Sequence, residues 1–295
     1  MIEVQHLTKS YGNQIAVEDL SFTIPNGQIY GLLGPNGAGK STTMNILTGC
    51  LAATEGEVHI DGYDIFEDAE KAKSRIGYLP EQPPLYLDCT PREYLTFVAR
   101  AKKVPEREIS MHILDVMEKT GVEDVADRLM KNLSKGYKQR VGIAQALVGD
   151  PEIIILDEPT SGLDPQQIIE IRDLIRNLGT DHTVILSSHI LSEIQRHCSR
   201  AAVIREGKII ACDSVEKLAE SSARRVTLRG NVKREDLPKC RDWKELGDAV
   251  SFLYGGDINV LIRTLAKADV QDMTIAEPDL EEIVLHFYEK GGEQA

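Results

Sequence analysis

Three short stretches carry the residue types and spacings that could do chemistry. Gly34-Pro35-Asn36-Gly37-Ala38-Gly39-Lys40-Ser41 fits the pattern G-x-x-x-x-G-K-[ST] in full. Glycines there let backbone N–H groups converge on phosphate oxygens, and a following helix adds the positive end of its dipole. Lys40 is placed to bridge the β- and γ-phosphates of a nucleoside triphosphate, and Ser41 to bind Mg²⁺. Thr42, next in the chain, belongs to the same candidate set. The second stretch, Ile153-Ile154-Ile155-Leu156-Asp157-Glu158, is an apolar strand ending in two carboxylates. An Asp at that point can hold Mg²⁺ through water, and a second carboxylate can polarise an attacking water as general base. The third is Leu133-Ser134-Lys135-Gly136-Tyr137, a Ser-x-Gly turn opening a helix between the other two. It makes a second anion-binding helix start and points to two copies of the protein closing around shared nucleotide.

Three single residues join them. His189, in Ser187-Ser188-His189, follows a strand and could hydrogen-bond a γ-phosphate from the crevice at the strand's carboxyl end. Gln82 lies 42 residues beyond Lys40. Its amide can touch the metal or the attacking water, or it is a solvated loop residue. Tyr11 could stack on an adenine ring by its π-face, or pack in the core.

The elements that must position these groups can be read from periodicity. Residues 28–33 form a short apolar run ending at Gly34, and a helix starts at Lys40 and runs to about Gly49. Residues 57–60 and 75–79 read as further strands. Thr90-Pro91-Arg92-Glu93 is a capping box with proline at the first helical position. It opens a helix bearing Tyr94, Leu95, Phe97 and Val98, and Ile109, Ile113, Leu114 and Met117 mark another that ends near Gly121. Residues 83–150 are therefore a mostly helical insert. The sheet resumes at 152–156. Asp164 then caps a helix with Pro165 first and Gln167 three residues on, and strands follow at 183–187 and 201–205. Strands alternating with helices imply a mainly parallel sheet covered on both faces. Beyond about 220 the pattern restarts, with strands at 225–228, 250–254 and 273–276 and a helix over 258–266. A last helix carries Leu280, Ile283, Val284 and Phe287. This reads as a small separate α+β unit.

The chain has 295 residues, 42% of them apolar and 27% charged, with a net charge of −13. The length suggests two domains, at 1–220 and 221–295, and the acidity argues against nucleic acid as a partner. No apolar run approaches the ~18 to 20 residues that span a bilayer. The first residues lack the basic-then-apolar order of a secretory signal. The five cysteines are scattered without metal-binding spacing, so they are expected reduced and mostly buried. The expected place is the cytoplasm, with any membrane role supplied by a separate membrane protein.

Taken together, these residues resemble the nucleotide-binding subunit of an ABC transporter over roughly residues 1–220, in full motif order. Gly34–Ser41 is similar to the Walker A loop, Gln82 to the Q-loop glutamine, and Leu133–Tyr137 to the signature. Residues 153–158 are similar to Walker B, Ser161-Gly162-Leu163-Asp164 to the D-loop, and His189 to the switch histidine. The resemblance implies a P-loop NTPase fold of the ABC type, α/β, with a mainly parallel sheet, an antiparallel β portion and a helical subdomain. A small C-terminal α+β appendage follows.

The resemblance also implies ATP and Mg²⁺ as cofactors and a head-to-tail pair of nucleotide domains, as a homodimer or with a homologue. Transmembrane subunits would hold the pair on the inner face of the cell membrane. Ser134 and Gly136 would contact γ-phosphate in trans, with Asp164 beside them. Glu158 would be the general base, assisted by His189 and Gln82. Ser41, Gln82 and Asp157 would serve the metal, and Tyr11 the adenine.

The signature departs from the common Leu-Ser-Gly-Gly-Gln at Lys135 and Tyr137. This variant, with the Leu280-Glu-Glu-Ile ending, resembles bacterial exporters of the gliding-motility and drug-resistance type. Leu85, Tyr86 and Leu87 are either the docking surface for the membrane partner or local core. Two other readings stand beside a transporter ATPase: a soluble ABC-type ATPase acting in repair or translation, and a non-catalytic ATP-switched module. Only one nucleotide domain is present, and Walker A and signature lie under 100 residues apart, which disfavours the first. Intact Glu158 and His189 disfavour the second.

Overall fold

The computed structural model describes residues 1–220, 224–238 and 240–276. The chain divides into two compact units, Met1–Cys212 and Asp213–Ala295. The first unit is built from ten strands: Ile2–Tyr11 (β1), Gln14–Ile24 (β2), Ile29–Leu33 (β3), Glu55–Ile60 (β4), Tyr63–Asp64 (β5), Ile76–Leu79 (β6), Ile153–Leu156 (β7), Thr183–Ser188 (β8), Arg200–Arg205 (β9) and Lys208–Ser214 (β10), whose last two residues pass the unit boundary. They form two sheets, one in the order β2-β1-β4-β5 and one in the order β10-β9-β3-β8-β7-β6.

Pairing along β9-β3-β8-β7-β6 is parallel throughout. Strands of such a sheet are covered on both faces and read as unbroken apolar runs. Ile153 to Leu156 are accordingly all buried, as is every residue of β8. Because the strands run the same way, Leu33, Leu156 and Ser188 all end at one edge of the sheet. That edge is where an open α/β sheet binds its ligands. The register sets Leu33 beside Ser188 and Leu156 beside Leu186. The segments that follow β3, β8 and β7 are therefore neighbours in that order.

Of the antiparallel sheet, periodicity gives only the strand at 57–60, and it suggests no strand before residue 28. The sheet's first two strands explain why. Their pairing is broken by register shifts between Val4 and Leu7, Leu7 and Lys9, and Lys9 and Ser10. Each irregularity interrupts the period-2 alternation on which a strand reading depends.

The helices of the first unit are Lys40–Leu47 (α1), Ala69–Ser74 (α2), Pro91–Ala101 (α3), Glu106–Thr120 (α4), Lys135–Leu147 (α5), Pro165–Leu178 (α6) and Leu191–His197 (α7). The Thr90 capping box forms with both of its hydrogen bonds, and Asp164 accepts from Gln167 N at 2.9 Å. Helices α3 to α5 fill the expected insert. Tyr94, Leu95 and Val98 are buried, but Phe97 and Leu114 face outward. Phe97 lies instead against Tyr86, at 5.8 Å between ring centroids.

The cysteines depart from expectation. All five are free, but only Cys198 is buried; Cys50 and Cys212 are exposed and Cys89 and Cys240 half-buried. Cys50 follows the turn at Gly49, which ends α1 with φ 64°, and so lies on the rim of the unit.

The second unit holds Val215–Glu220 (α8) and an antiparallel sheet of Arg224–Asn231 (β11), Arg241–Leu246 (β12), Ala249–Tyr254 (β13) and Asp269–Ala276 (β14), ordered β12-β13-β11-β14. Ile258–Leu265 (α9) contributes Leu261 and Leu265 to a core with Val226, Leu228, Phe252 and Tyr254. Trp243 stacks on Phe252 at 5.6 Å, which is local packing. The expected helix at Leu280–Phe287 lies outside the described residues.

Candidate active site

Backbone geometry builds the loop between β3 and α1. Gly39 has φ 105°, and a Cβ there would meet the Ala16 carbonyl oxygen at 2.6 Å. Only glycine lets the loop turn into α1 while β2 presses against it. Gly207 N donates to Ala38 O at 3.0 Å and ties the loop to the turn between β9 and β10. The result is a cleft of about 490 Å³ lined by Asn36, Gly37, Gly39, Lys40, Ser41, Thr42 and Glu158. Gln14, Ile15, Ala16, Glu81, Glu206 and Gly207 also line it, and periodicity pointed to none of these. A sequence cue stood next to them in Gly12-Asn13, a two-residue hairpin signal immediately before Gln14.

At the sheet edge the charged groups converge. Lys40 Nζ donates to Gly34 O at 2.8 Å and Pro35 O at 3.2 Å, and lies 3.2 Å from Glu158 Oε1. That last approach is an ion pair by distance but lacks hydrogen-bond alignment, for Glu158 Oε1 is buried with no hydrogen-bond partner. His189 Nδ1 is 2.8 Å from Glu158 Oε2. Glu158 itself has φ 49°, an uncommon conformation for a residue with a side chain. Its backbone N–H donates to Ser187 Oγ at 2.8 Å, and Ser187 Oγ donates to Asp157 Oδ1 at 2.6 Å. Both acids are buried. Tyr78, next to this corner, has its phenol pushed well above the usual range by burial and then by the charge of Asp157, so it stays protonated.

Other candidates stand apart. Tyr11 is about half exposed, with Lys9 Nζ 5.2 Å over its ring, and Ile15 rather than Tyr11 lines the cleft. Gln82 is exposed on the loop after β6, where its neighbour Glu81 lines the cleft.

Ser134 and Gly136 line a second cleft of about 250 Å³, with Tyr137, Arg140, Asp164, Gln166, Gln167 and Glu170. It shares no lining residue with the first. Ser134 caps α5 by accepting from Tyr137 N at 3.3 Å. The Tyr137 hydroxyl donates to Asp124 Oδ2 at 2.7 Å, and this bond holds its pKa above the ordinary value. The ring is also covered by the Arg140 guanidinium at 5.4 Å. Tyr137 is thus engaged with its own chain. Tyr137→Gln is expected to leave the ATPase kcat within about threefold of wild type if phosphate contact in this cleft rests on Ser134 and Gly136, since the Tyr137 hydroxyl is already engaged by Asp124. A phosphate-release assay checks this, and a collapse of turnover would give the tyrosine a role of its own.

A parallel sheet with a phosphate loop, lysine and paired acids at its carboxyl edge defines a P-loop nucleoside triphosphatase. The ABC transporter family matches residues 17–161. The bacitracin transport ATP-binding protein BcrA of Bacillus licheniformis is 41% identical over 71% of this chain and 68% of its own length. The linearmycin resistance ATP-binding protein LnrL of Bacillus subtilis is 34% identical over 97% and 98%. Among solved structures, the ATP-binding cassette MJ0796, as a dimer in a post-hydrolysis state bound to ADP and Pi, superposes with a TM-score of 0.67. It is 27% identical over 73% of this chain and 99% of that one. The chain belongs to the ABC transporter ATP-binding proteins, and it is an ATPase.

Proposed function

We propose that this chain drives an exporter in the bacterial drug-resistance mould, hydrolysing ATP with Glu158 as general base. The observation that carries the catalytic half is the convergence of Lys40, His189 and Glu158 at one sheet edge, with a buried carboxylate oxygen free of hydrogen bonds. Export is supported by LnrL, which matches almost end to end and is described as a resistance protein. No helix among the described residues is long and apolar enough to cross a membrane. In this reading the substrate path lies in separate transmembrane subunits, and this chain works at the inner face of the membrane through them.

Ser41 and Asp157 offer a hydroxyl and a carboxylate, the hard oxygen donors that suit Mg²⁺. No cluster of three or more metal-ligating His, Cys, Asp or Glu occurs among the described residues. A hydroxyl and a carboxylate of this kind would hold Mg²⁺ together with phosphate oxygens and water. Mg²⁺, when bound, offsets charge on the phosphates. Around it Lys40 orients the terminal phosphates, Glu158 takes the proton of an attacking water, and His189 holds the carboxylate's orientation. Gln82, exposed on the loop after β6, would sense that water. Tyr11 or Ile15 would meet the adenine.

The paired clefts support a dimer in which Ser134 and Gly136 of one chain face the nucleotide on the other. Exposed Tyr86 and Leu87, beside Phe97, offer an apolar surface for the membrane subunits. The test is to tag this chain in its native host and solubilise membranes in detergent. A multi-span protein should co-purify, and its deletion should release the chain from the membrane fraction. Membrane-independent recovery with unchanged turnover would favour a free-standing ATPase switch.

A further inference from the structure

We propose that Glu193 is a positioning residue for hydrolysis, clamping the segment that carries Glu158 to the segment that carries His189. The inference rests on the roles assigned to those two residues above. Glu193 lies in α7, away from both clefts, and is only 3% exposed. A carboxylate so deeply buried is costly unless donors surround it. Here the Thr160 hydroxyl reaches Oε1 at 2.9 Å and Oε2 at 3.0 Å, and the Ser188 hydroxyl donates to Oε2 at 2.7 Å. Arg172 on α6 donates to Oε1 at 3.3 Å and supplies the opposite charge.

The partners' places in the chain give this cluster its meaning. Thr160 is two residues after Glu158, and Ser188 immediately precedes His189. Ser188 Oγ also accepts from Ile190 N at 3.0 Å, so the backbone on both sides of His189 is fixed through one hydroxyl. The same hydroxyl gives its proton to Glu193 while its oxygen accepts from Ile190 N, so one side chain links the carboxylate to the backbone after His189. The His189–Glu158 contact at 2.8 Å is therefore bracketed by two residues that the same carboxylate grips. Thr160 also opens the loop to Asp164, which lines the second cleft, so the clamp joins both halves of the candidate machinery.

Glu193→Gln preserves volume but replaces one acceptor with a donor that must face a hydroxyl or the guanidinium. The expected result is a fall in kcat of about tenfold with the KM for ATP unchanged within about twofold, the pattern of an interaction that matters only at the transition state. Ser188→Ala removes a single hydroxyl and is the gentler variant. It is expected to lower kcat in the same way, and the double variant should be no slower than the slower single, as for two residues acting through one contact. Thermal unfolding of each variant checks that the fold persists.

The proposal is overturned if Glu193→Gln lowers only the melting temperature, if KM rises while kcat holds, or if the two losses multiply. His189→Ala, measured alongside, separates the two levels. A slow His189→Ala with a fully active Glu193→Gln refutes the clamp and leaves the site assignment standing. A fully active His189→Ala refutes the assignment of His189, and the clamp with it.

Discussion

Glu158→Gln is expected to cut ATP turnover by a factor on the order of 10² to 10⁴, the range that positioned general bases contribute, while ATP still binds. The substitution changes very little except charge and proton affinity. Glutamine keeps the length of the side chain and carries the same backbone preference at the strained φ of 49°. Its carboxamide oxygen can still meet His189. Lys40 loses its anionic neighbour but retains the carbonyls of Gly34 and Pro35, so it stays aimed along the loop. The phosphate cradle of Gly37, Gly39 and the α1 N-terminus is untouched. A neutral amide, however, cannot accept a proton from water at any useful rate. The measurements are steady-state phosphate release and equilibrium binding of a fluorescent ATP analogue, made on the same preparation. Turnover within a few-fold of wild type sinks the general-base assignment. Loss of binding together with turnover would make Glu158 a structural partner of Lys40.

The legible and illegible parts of this molecule divide by how local their cause is. The phosphate loop, the Asp164 cap and the Thr90 capping box were readable because a few adjacent residues dictate each geometry. The buried strands 153–156 and 183–188 were readable because both faces are covered and the composition shows it. The cleft's far wall was not readable. Gln14 to Ala16 reach the phosphate loop only through packing of one sheet against the other, and the irregular β1–β2 pairing hid the strand that brings them there, while Gly207 comes from the turn after β9, the strand beside β3. Tyr11 drew notice as an aromatic that could stack on adenine, while Ile15, which lines the cleft, gave no sequence signal of its own. Glu193 carried no signal at all. An acid in a short helix looks solvated until Thr160, Ser188 and Arg172 fold around it.

Mixing two inactive variants should restore activity if one chain's phosphate loop works with the other chain's Ser134–Gly136 cleft. Lys40→Ala removes the cation proposed to orient the terminal phosphates, and every site in its homodimer should be lost. Gly136→Asp places a carboxylate in the second cleft, where it repels phosphate. Its new Cβ would meet only the flexible Gln167 side chain, Cδ at 2.6 Å, and an acid in the first turn of a helix suits the dipole, so α5 should persist. Every site in the Gly136→Asp homodimer should be lost too. In a mixed dimer one site carries both lesions and the other carries neither. Random exchange makes half the dimers mixed, and recovery should approach about a quarter of wild-type turnover for a head-to-tail pair. The two clefts share no lining residue within one chain, which is why recovery in trans is expected. Activity that stays at the level of the separate variants, with subunit exchange verified by differently tagged chains, would mean that each chain completes its own site.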